Sequence, residues 1–272
     1  MDKGMTTDRE AYRRVLAVGD IHSCCMQLES LLETVAFDET QDLLILMGDY
    51  TDRGKEPVDA VKFVMDLASR PHVVCLRGNH DAMCLESYAK WPYPQGAGPN
   101  DLWGFNGGRE TRRAFARHER YFEPGVIQKY LEFLRSLPLY YRLETAGRNF
   151  LFAHAGIDSK KDFASQSEDD LVWIRDDFLF GYKGVLDGQK VTVTVGHTPI
   201  VYVPEAMLEG GDLEPRILRG CIIMTDTAAF AEEGALSCVD VLHQVFWQYV
   251  NEDQCVRGPC ELRPLALDPR RG

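Results

Sequence analysis

A chain of 272 residues with 45% hydrophobic and 26% charged side chains is long enough to close a full core without disulfides. Its formal net charge of −12 excludes the basic surface that sequence-independent nucleic-acid binding requires. No apolar run reaches the roughly 18 residues of a membrane span and no N-terminal stretch resembles a signal peptide, so neither a nucleic-acid nor a membrane partner is expected and the location predicted is cytoplasmic.

Residues 1–12 are polar and read as loose. Arg14 to Val18 reads as the first strand and ends in Gly19-Asp20-Ile21-His22-Ser23. Cys25 to Val35 places Met26, Leu28, Leu31, Leu32 and Val35 close to helical spacing. Leu43 to Met47 is a second buried strand, and Gly48-Asp49-Tyr50-Thr51-Asp52-Arg53-Gly54 follows it. Pro57 suits the first turn of a helix that stops before Pro71. A third strand, Val73 to Leu76, ends in Arg77-Gly78-Asn79-His80-Asp81. Strands alternating with helices predict a parallel βαβαβ unit with right-handed crossovers.

Residues 84–125 break that rhythm. Trp91-Pro92-Tyr93-Pro94 and Gly96 to Pro99 are turn-rich, and Trp103 to Gly108 is an aromatic-glycine loop. The region reads as an insertion, a lid or substrate wall. Ile127 to Leu137 is helical and stops before Pro138. Leu139 to Leu143 and Asn149 to Ala153 flank the turn Ala146-Gly147, and the second of them runs into His154. An acidic loop, Glu168 to Asp170, leads to Leu171-Val172-Trp173-Ile174-Arg175. The β-branched run Val191 to Val195 ends in Gly196-His197-Thr198-Pro199. Cys221 to Asp226, Ala235 to Leu242 and Val245 to Val250 give further strands. The expectation is one catalytic domain over residues 13–250, with two face-to-face sheets flanked by helices. Pro259, Pro264 and Pro269 make residues 251–272 an irregular tail. Eight cysteines, several in apolar runs, read as reduced buried thiols; Cys255 and Cys260 lack the second pair of a zinc site.

Five strand ends carry groups able to hold a metal: Asp20 with His22, Asp49 with Asp52, Asn79 with His80, His154, and His197. Such positions are where open α/β sheets bind ligands, and carboxylates at buried strand ends need something cationic beside them. Asp49 is therefore read as a metal ligand and Arg53 as a phosphate clamp. Mixed imidazole and oxygen ligands suit manganese, iron or zinc. One ion takes about four protein ligands, so this set fits two ions sharing a carboxylate, the arrangement for in-line displacement at phosphorus. Taken singly, each motif has a bland reading, a turn or a satisfied loop histidine, and His72, His118 and His243 stay in that class. It is their joint placement at strand ends that points to a metal centre.

Gly19-Asp20-Ile21-His22, Gly48 to Gly54 and Gly78-Asn79-His80-Asp81 resemble the three sequential motifs of the phosphoprotein phosphatase superfamily. His154-Ala155-Gly156 and Gly196-His197-Thr198-Pro199 are similar to its later metal histidines, and Trp173-Ile174-Arg175 to the segment with its second phosphate-binding arginine. The likeness spans roughly residues 13–242 and is nearest to the short bacterial serine/threonine phosphatases, which the loop Asn106-Gly107-Gly108 with Thr111 and the hairpin Leu143 to Ile157 also resemble. It implies a four-layer α/β/β/α metallophosphoesterase sandwich around a central pair of mixed sheets. It also implies two divalent metals, manganese first with iron or zinc as alternatives. Asp20, His22 and Asp49 would hold one; Asp49, Asn79, His154 and His197 would hold the other, with Asp49 bridging. A water activated between them would attack phosphorus. Arg53, Arg175 and Asn79 would bind the phosphoryl group, His80 would act as general acid, and Asp52 would orient it. Ser23 stands where the family usually has glycine, Asp81 replaces the commoner glutamate, and Asp226-Thr227-Ala228-Ala229-Phe230 has alanine where glycine is expected.

The expected substrate is a phosphorylated protein or small phosphoester. A symmetrical dinucleoside tetraphosphatase is the alternative; that family is expected to lack the equivalents of Asp52 and of Thr198-Pro199. An inactive phosphate-binding module is the non-enzyme alternative, and it would be expected to have lost a ligand or the proton donor, whereas this chain retains them all.

Overall fold

Alternation along the first three strands decides the architecture. Leu16, Val18, Leu44 and Leu46 point into one apolar layer, while Val15, Ala17, Leu43, Ile45 and Met47 point into another. Strands buried on both faces read as continuous apolar runs because neither side meets water. A computed structural model describes residues 4–8, 12–91, 98, 100–203 and 213–265.

In chain order the first half contains β1 (Gly4–Asp8), β2 (Arg14–Val18), α1 (Cys25–Val35), β3 (Asp42–Leu46), α2 (Pro57–Ala68), β4 (Val73–Cys75), α3 (Asn79–Lys90), α4 (Arg109–Tyr121) and α5 (Val126–Ser136). Next come β5 (Tyr140–Thr145), β6 (Arg148–Ala153), α6 (Glu168–Trp173), α7 (Asp176–Gly181), and the small hairpin β7 (Val185–Leu186) and β8 (Gln189–Lys190). The remainder is strand: β9 (Thr192–Val195), β10 (Arg216–Leu218), β11 (Ile222–Met224), β12 (Ala235–Asp240), β13 (Val245–Val250), β14 (Cys255–Glu261) and β15 (Arg263–Leu265).

Strands β2, β3 and β4 are parallel, with Val15 opposite Leu43 and Leu44 opposite Val73. Antiparallel β12, β13 and β14 extend them into a six-stranded sheet ordered β14-β13-β12-β2-β3-β4. The second sheet has seven strands in the order β1-β5-β6-β9-β11-β10-β15. Between the sheets, Val15, Ile45 and Met47 meet Tyr141, Phe150, Phe152 and Ile223. On the outer face of the six-stranded sheet, Leu16 and Leu44 pack with Leu28, Leu31, Val61, Val64 and Leu134 of the helices. Beyond the seven-stranded sheet, Leu151, Val193 and Met224 pack with Leu171, Val172 and Phe178 of α6 and α7. The result is the expected four layers, helices, sheet, sheet, helices.

Several expectations need correcting. Within residues 84–125, Cys84 and Tyr88 of α3, Trp103, and Phe115 of α4 do not form a loose lid but belong to the same core as α1 and α2. The turn-rich residues 92–97 and 99 lie outside the described residues. The described part of the tail, residues 251–265, is not irregular, because β14 and β15 occupy most of it, and residues 266–272 lie outside the described residues. Each is an edge strand, where the missing N–H of Pro259 or Pro264 costs no ladder bond; Pro269 is outside the described residues. The polar N-terminus supplies a strand backbone, β1, paired parallel with β5. Finally, Glu168 to Asp170 is the first turn of α6 rather than a loop. Ser167 Oγ accepts from Asp170 N–H at 3.1 Å and Ser167 N–H donates to the Asp170 carboxylate at 2.7 Å, a reciprocal cap that favours acidic residues there. Among the described residues no helix is long and apolar enough to cross a membrane.

Candidate active site

The loops leaving the carboxyl ends of β2, β3, β4, β6 and β9 meet over the seam between the two sheets. Their backbones are unusual. His22, Ser23, Asp49, Asp52, Arg53 and His197 all take left-handed φ, between 44° and 73°. For residues with a Cβ this costs about 1–3 kcal/mol each and gathers at functional sites. Two glycines allow the close approach. Gly48 has φ +112°, and a Cβ there would stand 2.8 Å from Gly78 Cα. A Cβ on Gly78 would stand 2.1 Å from Asp49 Oδ1.

Asp81, which stands where the resemblance led us to expect a longer carboxylate, ties these loops together. Its carboxylate accepts from Asp49 N–H at 3.0 Å, Gly78 N–H at 2.9 Å and Tyr50 N–H at 3.3 Å. Burial, and then the nearby Asp49 charge, push its pKa up to about 8. Asp49 in turn accepts from His80 N–H at 2.9 Å through Oδ1.

Three buried histidines share one arrangement. His22 Nδ1 lies 3.0 Å from Thr51 O, His154 Nδ1 2.8 Å from Met47 O, and His197 Nε2 3.3 Å from Trp173 O. A carbonyl only accepts, so the facing ring nitrogen donates and the other nitrogen keeps a lone pair. Burial lowers His154 and pushes His22 down to about 3 and His197 to about 2, so all three are neutral at pH 7. Their free nitrogens converge on oxygen. His154 Nε2 and His197 Nδ1 are each 2.9 Å from Asn79 Oδ1. His154 Nε2 is 3.5 Å, and His22 Nε2 3.7 Å, from Asp49 Oδ2. At His154, His197, Asn79 and Asp49 lone pairs face lone pairs in a buried setting, which a cation would satisfy.

Asp20 adds to this. It accepts from His197 N–H at 3.0 Å, and burial, then Asp226, then Asp49 raise its pKa well above the usual carboxylate range. Asp226, absent from the sequence-based set, is likewise buried and raised to about 6, by burial first. Its signal was available: it closes a strand, as Asp20 and Asp49 do. Among the described residues two groups have ligand atoms all within 4.8 Å of one another: His22, Asp49 and His80, and Asp20, Asp49 and His154. Asp49 is common to both, as a bridging carboxylate requires, although the geometry sets His80 rather than Asp20 beside His22.

His80 differs from the other imidazoles. Its Nδ1 lies 2.7 Å from Asp52 Oδ2. Burial alone would lower its pKa, but the Asp49 charge and the Asp52 hydrogen bond outweigh burial and raise it. Burial would raise Asp49, yet the imidazoles of His154, His80, His22 and His197, once charged in acid, hold it below the usual carboxylate range; at pH 7, with the other three neutral, His80 is the imidazole able to carry charge opposite it. Asp52 accepts two further hydrogen bonds that sequence reasoning missed, from Trp103 Nε1 at 2.8 Å and Thr111 Oγ1 at 2.6 Å.

Arg53 and Arg175 face a shared cavity of about 540 Å³ that Phe180, Tyr202 and Phe230 also line. The Arg53 guanidinium lies over the Phe230 ring at 4.8 Å and its Nη1 is 3.1 Å from His22 Nε2. Arg175 Nη1 donates to Thr198 Oγ1 at 3.2 Å and His197 O at 3.3 Å. All ten expected site residues thus come together at one end of the sandwich.

Comparison with known proteins agrees with this geometry. Serine/threonine-protein phosphatase 2 of Salmonella typhimurium is 29% identical over 184 residues, which cover 64% of this chain and 74% of that protein. A symmetrical bis(5'-nucleosyl)-tetraphosphatase of Pasteurella multocida is 30% identical over 151 residues, 56% of this chain and 47% of that protein. A solved serine/threonine phosphatase from Saccharomyces cerevisiae shares the fold with a TM-score of 0.58, over 98% of this chain and 85% of its own, at 13% identity. The family model described as calcineurin-like phosphoesterase matches residues 13–229, a span that holds every residue of the constellation above. With its clustered imidazoles and carboxylates and its two-sheet sandwich, the chain belongs to the calcineurin-like phosphoesterase family.

Proposed function

We propose that this protein is a divalent-metal-dependent phosphomonoester hydrolase, a protein phosphatase of the serine/threonine type. Asp20, His22 and Asp49 would hold one cation, and Asp49, Asn79, His154 and His197 the other. When bound, two such ions, manganese in our reading with iron or zinc as alternatives, supply an acidified water and neutralise phosphoryl charge. Arg53 and Arg175 grip the phosphoryl oxygens with planar guanidinium groups, and the Asn79 amide would join them. His80 holds a proton on Nε2 while Nδ1 is bound to Asp52. As the ester P–O bond breaks, that proton passes to the departing alkoxide, leaving an alcohol and inorganic phosphate.

The observation that carries this reading is the buried His80–Asp52 pair at 2.7 Å. A serine or threonine alkoxide is a poor leaving group and needs a proton donor. A nucleotide leaves as a stable phosphate anion and does not. The symmetrical dinucleoside tetraphosphatase reading stays as the second, because relatives of that name match this chain. The substrates we expect are phosphorylated proteins or small phosphoesters. The eight free thiols suit a reducing cytoplasm, where we place the activity. Side-by-side assays with 4-nitrophenyl phosphate, phosphoserine and phosphothreonine peptides and diadenosine tetraphosphate, each with Mn²⁺, test the proposal. Turnover of the dinucleotide alone would overturn it.

A further inference from the structure

The Asp52 carboxylate is engaged by more than its histidine. Thr111 Oγ1 donates to Oδ1 at 2.6 Å and also accepts the Asp52 backbone N–H at 3.1 Å. That closed pair locks the side chain to its own backbone. Trp103 Nε1 donates to Oδ2 at 2.8 Å, the same oxygen that His80 Nδ1 faces at 2.7 Å. A carboxylate bound on one side only turns easily about its last torsion; one bound on both oxygens does not. Water cannot substitute for either donor, since Asp52, Trp103 and Thr111 are at most 1% exposed. The donors are themselves braced. The Arg112 guanidinium sits 5.0 Å from the Trp103 ring and 5.2 Å from that of Tyr88, and it pairs with Asp101 at 3.0 Å. Thr111 is carried on α4.

We propose that Trp103 and Thr111 are positioning residues of the reaction: they seat Asp52 so that its carboxylate aims the His80 imidazole at the leaving oxygen. This rests on the phosphomonoesterase reading above. Both residues are buried away from the cavity surface, at 1% exposure, so on this proposal they act through proton donation alone. Their loss therefore hurts most where the leaving group most needs a proton, which a merely structural role would not do.

The test compares Thr111→Val and Trp103→Phe with Thr111→Ser, using the full chain with Mn²⁺. On a phosphoserine peptide kcat should fall about 10- to 100-fold in the first two, within the range general-acid catalysis contributes. On 4-nitrophenyl phosphate, whose leaving group needs little help, the fall should be under about threefold, with KM and bound metal unchanged. Thr111→Ser, which restores the hydroxyl, should recover most of the loss. Equal losses on both substrates, or none, overturn the proposal. Should Thr111→Val fail to fold by thermal melting, the ratio in Trp103→Phe decides. A second readout is independent of turnover: the downfield proton resonance of the hydrogen-bonded His80 Nδ1–H. It should be sharp in the wild type and exchange-broadened in both variants, and an unchanged signal refutes the seat. If the wild type cleaves only diadenosine tetraphosphate, the functional reading falls, and that resonance still decides the role of Trp103 and Thr111.

Discussion

Replacing Asp52 with asparagine removes one charge and leaves the backbone alone. Three donors point at the native carboxylate: His80 Nδ1, Trp103 Nε1 and Thr111 Oγ1. Two are rigid ring N–H groups on the same oxygen. Only the Thr111 hydroxyl can turn. Asparagine will therefore keep its oxygen toward His80 and Trp103 and turn its amide toward Thr111. Geometry survives and charge does not. A hydrogen bond to a charged group is worth about 1.5–3 kcal/mol, so kcat should fall about 10- to 150-fold. The His80 pKa, which burial lowers and Asp49 and Asp52 raise, should drop when Asp52 is neutralised. The alkaline limb of the kcat profile, where His80 loses its proton, should then move to lower pH. Steady-state kinetics on a phosphoserine peptide across pH, with metal content measured in parallel, read both effects. A kcat within about twofold of wild type, or a loss matched by loss of metal, would refute the role given to Asp52.

Asp49→Asn and His80→Asn should each cut turnover by at least about a hundredfold. Elemental analysis should find metal lost from the first and retained in the second, and equal loss from both would contradict the assignments. Gly78→Ala forces a Cβ to within 2.1 Å of Asp49 Oδ1, so it should lower both metal content and activity; wild-type values for both would show that the loop has slack. Away from the site, Asp42 is buried beneath Arg13, at 2.8 and 2.9 Å, and Arg14. Burial pushes its carboxyl up, but those two arginines win and hold it at about 2. A depressed folded pKa stabilises above the unfolded value near 3.9 and loses that effect as pH falls toward about 2. Asp42→Asn should cost roughly 1–2 kcal/mol at pH 7, discounted because Arg13 is half-exposed, and almost nothing at about pH 2. Equal urea midpoints at pH 7 would sink that account.

Much of this site could be read from sequence because its residues stand where buried strands end. Asp20, Asp49 and Asn79 follow apolar runs with a glycine between, and period and punctuation together place them. Asp226 follows the same logic, yet a single Asp after Met224-Thr225 looks like any strand end until Asp20 is seen beside it. Trp103 and Thr111 were harder. They lie beyond the turn-rich stretch at residues 92–99 that reads as an inserted loop, and their contact with Asp52 spans 51 and 59 positions. Local pattern carries no information at that separation. The prolines of the last strands misled for a different reason. Proline disqualifies an interior strand, and sequence alone does not say which strands will be edges.

The site draws on both sheets. Asp20, His22, Asp49 and Asp52 follow strands of one, and His154, His197 and Asp226 follow strands of the other. No single sheet holds a complete set, so the reacting geometry is a property of how the two register against each other. The spacer that fixes this register is the layer of Ile45, Met47, Phe150, Phe152 and Ile223 between them. A misplacement of about 1 Å can cost about a hundredfold in rate. A trimmed side chain deep in that layer will therefore read out as a catalytic defect before it reads out as unfolding. Substrate range can drift more freely at the outer wall of the cavity, at Tyr202, which is 72% exposed and stands outside that layer.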